Sequence, residues 1–278
     1  MSGGPGAGTS NTISGGSQSG PVLQARTIHA TFQAGAAAPV ALAQLPPQIA
    51  GFTGRDDELA VIARLLDPAG SAGAVVVSAV AGLAGVGKTA LAVQAGHAAM
   101  RRGWCQGGVL FIDLHGYDES PVQPAQALDA LLRALGVAAE HIPPEAEARA
   151  ALYRSALAQI SDQVLVIADN ASSEAQVRPL LPGTGQHRVV VTSRHTLGGL
   201  GARLLDVTIL DQVASLSLLD TALRMARPDD ARVTAQHGAA ARLAGYCGGL
   251  PLALQIVAAM LRADPGRDVG DLADDLAT

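Results

Sequence analysis

A segment of eight residues decides much of what this chain can become. Residues 82–89 read G-x-x-x-x-G-K-T, between a predicted strand at 74–80 and a predicted helix that begins at Lys88. Such a loop wraps its backbone N–H groups around phosphate oxygens, in conformations that a Cβ atom would obstruct. The helix N-terminus adds partial positive charge at the same place. The segment therefore predicts a phosphate-binding loop, or P-loop, within an α/β fold.

The chemistry of phosphate binding assigns roles to the residues of this loop. Lys88 would neutralise the β- and γ-phosphates, and the Thr89 hydroxyl would coordinate Mg²⁺. The alternative is a glycine loop that occurs by chance in a chain with 32 Gly, but Lys88 is the only lysine of the chain. The predicted nucleotide contacts are Gly82, Gly85, Val86, Gly87, Lys88, Thr89 and Ala90.

A carboxylate follows the apolar run at residues 164–168. This places Asp169 at the carboxyl end of a buried parallel strand, where α/β sheets bind ligands, so Asp169 is predicted to hold Mg²⁺ together with Thr89. The alternative is an ordinary helix N-cap. Asn170 stands where many ATPases carry a second acid, and an amide cannot accept a proton at neutral pH. We therefore expect a slow ATPase at most. Asp113 is a candidate substitute for the missing acid, and the favoured alternative is an ordinary carboxylate at a strand end, satisfied by its own hydrogen bonds.

Arg194 follows a predicted strand at 188–193, at the same edge of the sheet. A guanidinium there can meet γ-phosphate oxygens in bidentate fashion and so sense whether that phosphate is present. The alternative is a solvated loop arginine. Lys88, Asp169 and Arg194 are together the predicted catalytic residues.

Strand and helix patterns alternate after Pro46 and Pro47, which predicts right-handed crossovers and a parallel sheet. The predicted fold class is α/β, a P-loop NTPase with a five-stranded parallel sheet followed by a small all-helical domain. We predict a flexible arm over residues 1–45, a nucleotide-binding domain over 46–210 and the helical domain over 211–278. Predicted strands lie near 74–80, 109–114, 164–168, 188–193 and 204–210.

Composition argues against several classes of function. A net charge of -5 with scattered arginines gives no basic patch, so we expect no nucleic-acid binding by this chain. There is no secretion signal and no apolar stretch long enough to cross a membrane, which predicts a cytoplasmic protein. Cys105 and Cys247 lack metal-ligand spacing and are interpreted as reduced structural thiols.

With these motifs in place, the chain from about residue 44 onward resembles the NB-ARC domains of STAND-class ATPases, notably those of actinobacterial regulators and NLR-like proteins. The resemblance implies ATP or ADP with Mg²⁺ as ligands, base-side contacts from Thr53, Gly54 and Arg55, and a contact from Pro251 in the helical domain. Helix initiation is the alternative for Pro251. Beyond the P-loop, the segments that carry the resemblance are Phe52 to Arg55 with Glu58 and Leu59, Asp169 to Ala171 with Gln176 to Leu180, Thr192 to Arg194, and Gly249 to Ala253.

The resemblance also implies a mode of action. In such proteins ADP holds a closed state, and exchange for ATP rearranges the domains and permits homo-oligomers to form. The leading hypothesis is a signalling switch in bacterial immunity or cell death, acting on an effector protein. The second is the ATPase module of a transcriptional regulator of secondary metabolism, and a conventional hydrolase or kinase is the third. The family's winged-helix domain and sensor repeats are not found before Thr278.

Part of the N-terminal arm, about residues 11–32, resembles RHIM-like amyloid signalling motifs and is a candidate effector contact. Such segments stack as in-register strands. The pattern departs from those motifs at Arg26 and Ala30, where glycines are expected, and a plain linker is the alternative. The residues that carry the likeness are Asn11, Ile13, Gly15, Gly20, Gln24 and Ile28.

Overall fold

The computed structural model describes residues 42–70, 73–79 and 83–277 of the chain. The predictions for the arm at 1–45, apart from its last few residues, and for Gly82 therefore lie outside the described residues. All described residues belong to one unit that runs from Ala38 to Thr278.

A parallel sheet of five strands, in the order β2-β3-β4-β1-β5, forms the centre of this unit. The inner strands β3 and β4 have helices on both faces, which explains the apolar runs at residues 164–168 and 189–191. The strands are β1 (Gly73–Ala79), β2 (Gly108–Asp113), β3 (Val164–Ala171), β4 (Arg188–Ser193) and β5 (Arg203–Val207).

Ten α-helices surround or follow the sheet in the described part of the chain. They are α1 (Asp56–Leu66), α2 (Lys88–Arg101), α3 (Pro124–Ala134), α4 (Ala146–Ala158), α5 (Glu174–Val177), α6 (Gln212–Ala226), α7 (Arg232–Ala235), α8 (His237–Tyr246), α9 (Pro251–Ala263) and α10 (Val269–Asp275). Among the described residues, no helix is both long enough and apolar enough to span a bilayer.

Residues of β3 alternate between the two faces of the sheet, as the period of a strand requires. Val164, Val166 and Ala168 pack into a core with α3 and α4, whereas Leu165 and Ile167 pack into a second core with α1 and α2. A third core joins α6, α8, α9 and α10 and contains no residue before Leu210. This arrangement agrees with a helical domain after residue 210, and the boundary itself stays a prediction.

Two predicted strands end at other residues than expected. β3 continues past residue 168 to Ala171. Its pairing with β4 is irregular between Ala168 and Ala171, where Asn170 adopts a left-handed conformation with φ 55°. Asparagine tolerates this conformation better than most residues. The fifth strand ends at Val207 rather than 210, since the Leu210 N–H leaves the sheet and donates to the Gly249 carbonyl at 2.8 Å.

Both cysteines are buried and unpaired, as the sequence indicated. Burial raises the pKa of the Cys105 and Cys247 thiols, which keeps them protonated. They serve as small core residues.

His187, just before β4, is a buried polar residue whose hydrogen bonds fix its protonation state. Its Nδ1 accepts the Val164 N–H at 3.1 Å, and its Nε2 lies 2.9 Å from the Leu157 carbonyl oxygen. A backbone N–H only donates and a carbonyl only accepts, so the imidazole is neutral with its proton on Nε2. Burial lowers the pKa of His187 in agreement with this assignment.

This leads to a prediction for the pH dependence of folding. The unfolded chain binds a proton at His187 near pH 6.5 and the folded chain does so only at lower pH, so stability is present above that value and falls as the pH drops through it. His187→Gln, which keeps an acceptor and a donor, should remove a slope of up to about 1.4 kcal/mol per pH unit. Urea unfolding at pH 7.5 and 5.5 measures this. An unchanged slope in His187→Gln would contradict the assignment.

Candidate functional site

A cavity of about 480 Å³ lies at the carboxyl edge of the sheet and is lined by Leu210, by Leu218 of α6 and by four further parts of the chain. These are the segment at 49–55, the P-loop with the start of α2, the ends of β3 and β4, and the first turns of α9. Six of the predicted nucleotide contacts line it together: Gly85, Val86, Gly87, Lys88, Thr89 and Ala90.

Glycines in the P-loop are required by the backbone and by the close approach of α9. Gly85 and Gly87 have φ angles of 77° and 94°, which residues with a Cβ rarely adopt. A Cβ on Gly85 would lie 3.0 Å from the Cβ of Leu252. The Leu252 N–H also donates to the Gly85 carbonyl at 3.2 Å. The helical layer therefore rests directly on the P-loop.

Lys88 begins α2 and is buried at the floor of the site. Its Nζ donates to the Leu83 carbonyl at 2.9 Å, within the same loop. Burial lowers the Lys88 pKa most, the positive charge of Arg194 lowers it further, and Asp169 opposes both. Two cations thus lie close together in one cavity, which is the arrangement that attracts a polyanion such as a phosphate chain.

Asp169 is almost fully buried beneath the P-loop helix. The Thr89 hydroxyl lies 2.9 Å from each of its carboxylate oxygens, and the Thr192 hydroxyl donates to Oδ1. Burial raises the Asp169 pKa, the two threonine hydroxyls lower it, and the charge of Asp113 raises it. The two predicted Mg²⁺ ligands, Thr89 and Asp169, are therefore neighbours.

Asn170 lines the cavity directly after Asp169. Its side-chain amide donates to Asp113 at 3.2 Å and to Asp169 at 3.3 Å. Asp113 also accepts the His115 N–H at 2.9 Å, and it does not line the cavity. The geometry gives Asp113 a role in holding Asn170, and the hypothesis that Asp113 replaces a catalytic acid gains no support.

Arg194 also lines the cavity, with its guanidinium carbon 4.1 Å from the centroid of the Tyr117 ring. This distance is within the range of a cation–π interaction. Sequence reasoning did not identify Tyr117, because nothing in residues 115–118 shows that the loop after β2 reaches the end of β4.

Only two of the three residues predicted to lie near the nucleotide base line the cavity. Thr53 and Arg55 line the cavity, whereas Gly54 packs against α6, where a Cβ on it would lie 2.7 Å from the Ala214 Cβ. The Arg55 guanidinium donates to Glu58 at 2.7 Å and to the carbonyls of Val86 and Thr208. Arg55 therefore ties the P-loop to the segment that leaves β5.

The start of α9 contributes Pro251, Leu252 and Gln255 to the cavity. Pro251 is the first residue of the helix, so it both initiates α9 and faces the site. The apolar lining was missed by sequence reasoning, since an apolar side chain that faces a cavity has the same pattern as one in a core. These missed residues include Ile49, Phe52, Leu210 and Leu218.

Fold and site together define a P-loop nucleotide-binding protein. No protein-family model matches the chain. It is 41% identical over 240 residues to regulatory protein AfsR of Streptomyces coelicolor and 41% identical over 237 residues to that of Streptomyces griseus. Each alignment covers 84% of this chain and 23% of the relative, so the chain spans less than a quarter of the length of these curated relatives.

Solved structures give a comparison of the fold alone. A chain of the Drosophila ORC bound to DNA aligns with a TM-score of 0.54 at 13% identity, over 80% of this chain and 66% of that one. A STAND protein with a tetratricopeptide repeat sensor from Pyrococcus horikoshii aligns with a TM-score of 0.47 at 20% identity, over 76% and 30%. The first of these likenesses confirms the predicted α/β P-loop fold.

The hydrogen bonds of Arg55 predict a structural role that can be measured without nucleotide. Arg55→Met keeps the aliphatic stem but leaves the buried Val86 carbonyl, the Thr208 carbonyl and Glu58 without their donor, so the free energy of unfolding should fall by about 2–4 kcal/mol. Urea unfolding of the nucleotide-free protein measures this.

The control for Arg55→Met is Arg133→Met, which removes an exposed pair with Asp129 and should change stability little. If Arg55→Met is as stable as the parent, Arg55 does not hold the P-loop in place.

Proposed function

We propose that this chain is the ATP/ADP-binding switch of a larger regulatory protein similar to AfsR. The observation that carries the proposal is that a single cavity is lined both by the P-loop and by the start of α9. A nucleotide bound there touches the sheet layer and the helical layer at once. A change at its terminal phosphate can therefore alter how the two layers contact each other.

The residues of the cavity fit an adenine nucleotide with Mg²⁺. The glycines of the P-loop leave room for phosphates, with Lys88 and Arg194 to neutralise them. No group of three His, Cys, Asp or Glu side chains suited to a metal exists among the described residues. Thr89 lines the cavity and Asp169 lies directly behind it, within hydrogen-bond distance of the Thr89 hydroxyl, and these two residues would hold the ion. Mg²⁺ suits this, because it is usually held by one or two carboxylates and completed by phosphates and water.

The remaining predicted contacts keep their assigned roles in this proposal. Thr53, Gly54 and Arg55 lie on the base side, with Gly54 acting through the packing of its segment against α6, and Pro251 contacts the nucleotide from the helical layer. Bound Mg²⁺ supplies charge neutralisation of the phosphates.

The same cavity favours a switch over an enzyme with rapid turnover. In the described part of the chain its charged lining residues are Arg55, Lys88 and Arg194, and no carboxylate lines it. The Asn170 amide donates its hydrogens to Asp113 and Asp169, so it offers a water molecule no base. Nucleotide would be bound tightly and hydrolysed slowly.

Of the two regulatory hypotheses, the ATPase module of a transcriptional regulator of secondary metabolism is the better supported. Its support is the 41% identity to AfsR, a regulatory protein by name. The hypothesis of immunity or cell-death signalling, with an effector contact through the arm, has no comparable support. A cytoplasmic location, ATP-dependent homo-oligomers and the absence of nucleic-acid contact by this chain are part of the proposal, the last because of its net charge of -5.

Lys88→Met tests the site itself. Removal of a partly buried charge that meets phosphates should weaken ADP and a non-hydrolysable ATP analogue at least about tenfold, since hydrogen bonds to charged groups contribute about 1.5–3 kcal/mol. Isothermal titration calorimetry gives both dissociation constants, and Arg133→Met is the matched control for loss of a positive charge far from the cavity. Unchanged affinity in Lys88→Met rules the site out.

The behaviour of a switch can be measured on the unaltered protein. We expect ADP to co-purify with it, phosphate release below about 0.1 per second, against a median enzyme turnover of about 10 per second, and a larger mass in light scattering with the ATP analogue than with ADP. Asp169→Asn should abolish the residual phosphate release, which assigns that activity to this site. Rapid turnover without any change of mass would identify an ordinary hydrolase instead.

A further inference from the structure

Tyr117 joins the ends of three strands directly behind Arg194. Its hydroxyl donates to the Ala171 carbonyl at 2.9 Å, lies 3.1 Å from the Ser193 hydroxyl, and accepts the backbone N–H of Arg194 at 2.6 Å. Ala171 and Ser193 are the last residues of β3 and β4, and Arg194 follows β4 directly. Tyr117 itself belongs to the loop after β2. The phenol group of Tyr117 therefore fixes the backbone at Arg194.

The loop that carries Tyr117 is held closely against β3. The Leu114 N–H donates to the Asp169 carbonyl at 2.9 Å, and the Gly116 N–H donates to the Asn170 carbonyl at 2.8 Å. A Cβ on Gly116 would lie 2.4 Å from the Asn170 carbonyl oxygen, so only glycine fits there. These backbone hydrogen bonds therefore set the position of the loop that carries the tyrosine ring.

The ring of Tyr117 also holds the arginine side chain. The guanidinium carbon of Arg194 lies 4.1 Å from the ring centroid. Within the described residues no carboxylate forms an ion pair with Arg194. An exposed arginine without such a partner would sample many rotamers, and stacking on an aromatic face reduces that freedom. The charge stays available to an anion while its direction is fixed.

Tyr117 does not itself line the cavity, whereas Arg194 does. We propose that Tyr117 is a positioning residue that sets the preference for ATP over ADP, because it holds Arg194 toward the position of the γ-phosphate. The inference rests on the proposed function, in which Arg194 senses that phosphate. It assigns the strength of the sensing to a residue outside the cavity.

The binding test compares dissociation constants for ADP and for a non-hydrolysable ATP analogue. Arg194→Ala should weaken the analogue and leave ADP nearly unchanged. Tyr117→Leu, which removes the ring and the hydroxyl, should weaken the analogue about two- to fivefold, as expected for a cation–π contact, with ADP unchanged within twofold. Tyr117→Phe, which keeps the ring, should have a smaller effect. In the Arg194→Ala background, Tyr117→Leu should have no further effect.

A second measurement needs no nucleotide and separates the inference from the proposed function. The Arg194 amide should exchange hydrogen faster in Tyr117→Phe than in the parent, because the phenol oxygen that accepts its N–H is gone. Thermal unfolding shows whether each variant is folded.

The possible outcomes distinguish a failure of the role of Tyr117 from a failure of the proposed function. Equal weakening of ADP and the analogue in Tyr117→Leu, additive effects with Arg194→Ala, or unchanged exchange at Arg194 would each overturn the role of Tyr117 while nucleotide binding stands. If Lys88→Met binds nucleotide as the parent does, the proposed function fails, and the preference assigned to Tyr117 fails with it even where the exchange result holds. If only Arg194→Ala is silent, γ-phosphate sensing fails and the inference is overturned.

Discussion

The site depends on a buried carboxylate that connects three elements of the sheet layer. Asp169 at the end of β3 accepts hydrogen bonds from Thr89 at the start of α2 and from Thr192 near the end of β4. Burial of an ionised carboxylate is unfavourable unless hydrogen bonds compensate for the lost water. These two hydroxyls offset part of that cost, and they fix the P-loop helix against the strand ends. The position of the P-loop helix relative to β3 and β4 thus follows from the need to satisfy the Asp169 carboxylate with hydrogen bonds.

A second set of contacts joins this layer to the helices that follow β5. Arg55 bridges the Val86 and Thr208 carbonyls, the Leu210 N–H donates to the Gly249 carbonyl, and Leu252 rests on Gly85. Most of these contacts run through backbone atoms, so they tolerate little displacement without loss of a hydrogen bond. The P-loop therefore cannot shift without an effect on the start of α9.

The sequence predicted the parts of the molecule that local chemistry dictates. The P-loop, the carboxylate after an apolar run and the arginine after β4 were predicted from local residue patterns, and the structure brings them to the same edge of the sheet. The partners of these residues were not found. Tyr117 contacts Arg194 from the loop after β2, 77 residues away in sequence. Thr192 meets Asp169 across the β3–β4 pair, and Glu58 lies one helical turn after Arg55. Arg55 shows the limit most clearly, since a motif position interpreted as a base contact also serves as a clamp between backbone carbonyls.

The magnitude of a nucleotide-driven change limits which residues can produce it. A shift of a two-state equilibrium from 1:99 to 99:1 needs about 5.5 kcal/mol of differential binding. A hydrogen bond to a charged group contributes about 1.5–3 kcal/mol, so Arg194 alone falls short of a full switch. At least one further contact must distinguish ATP from ADP. The start of α9 is the element of the helical layer that already touches the P-loop, through Leu252 and Gly85. In the proposed switch, Lys88 at the γ-phosphate and a movement of α9 with the terminal phosphate would supply the difference that Arg194 alone cannot.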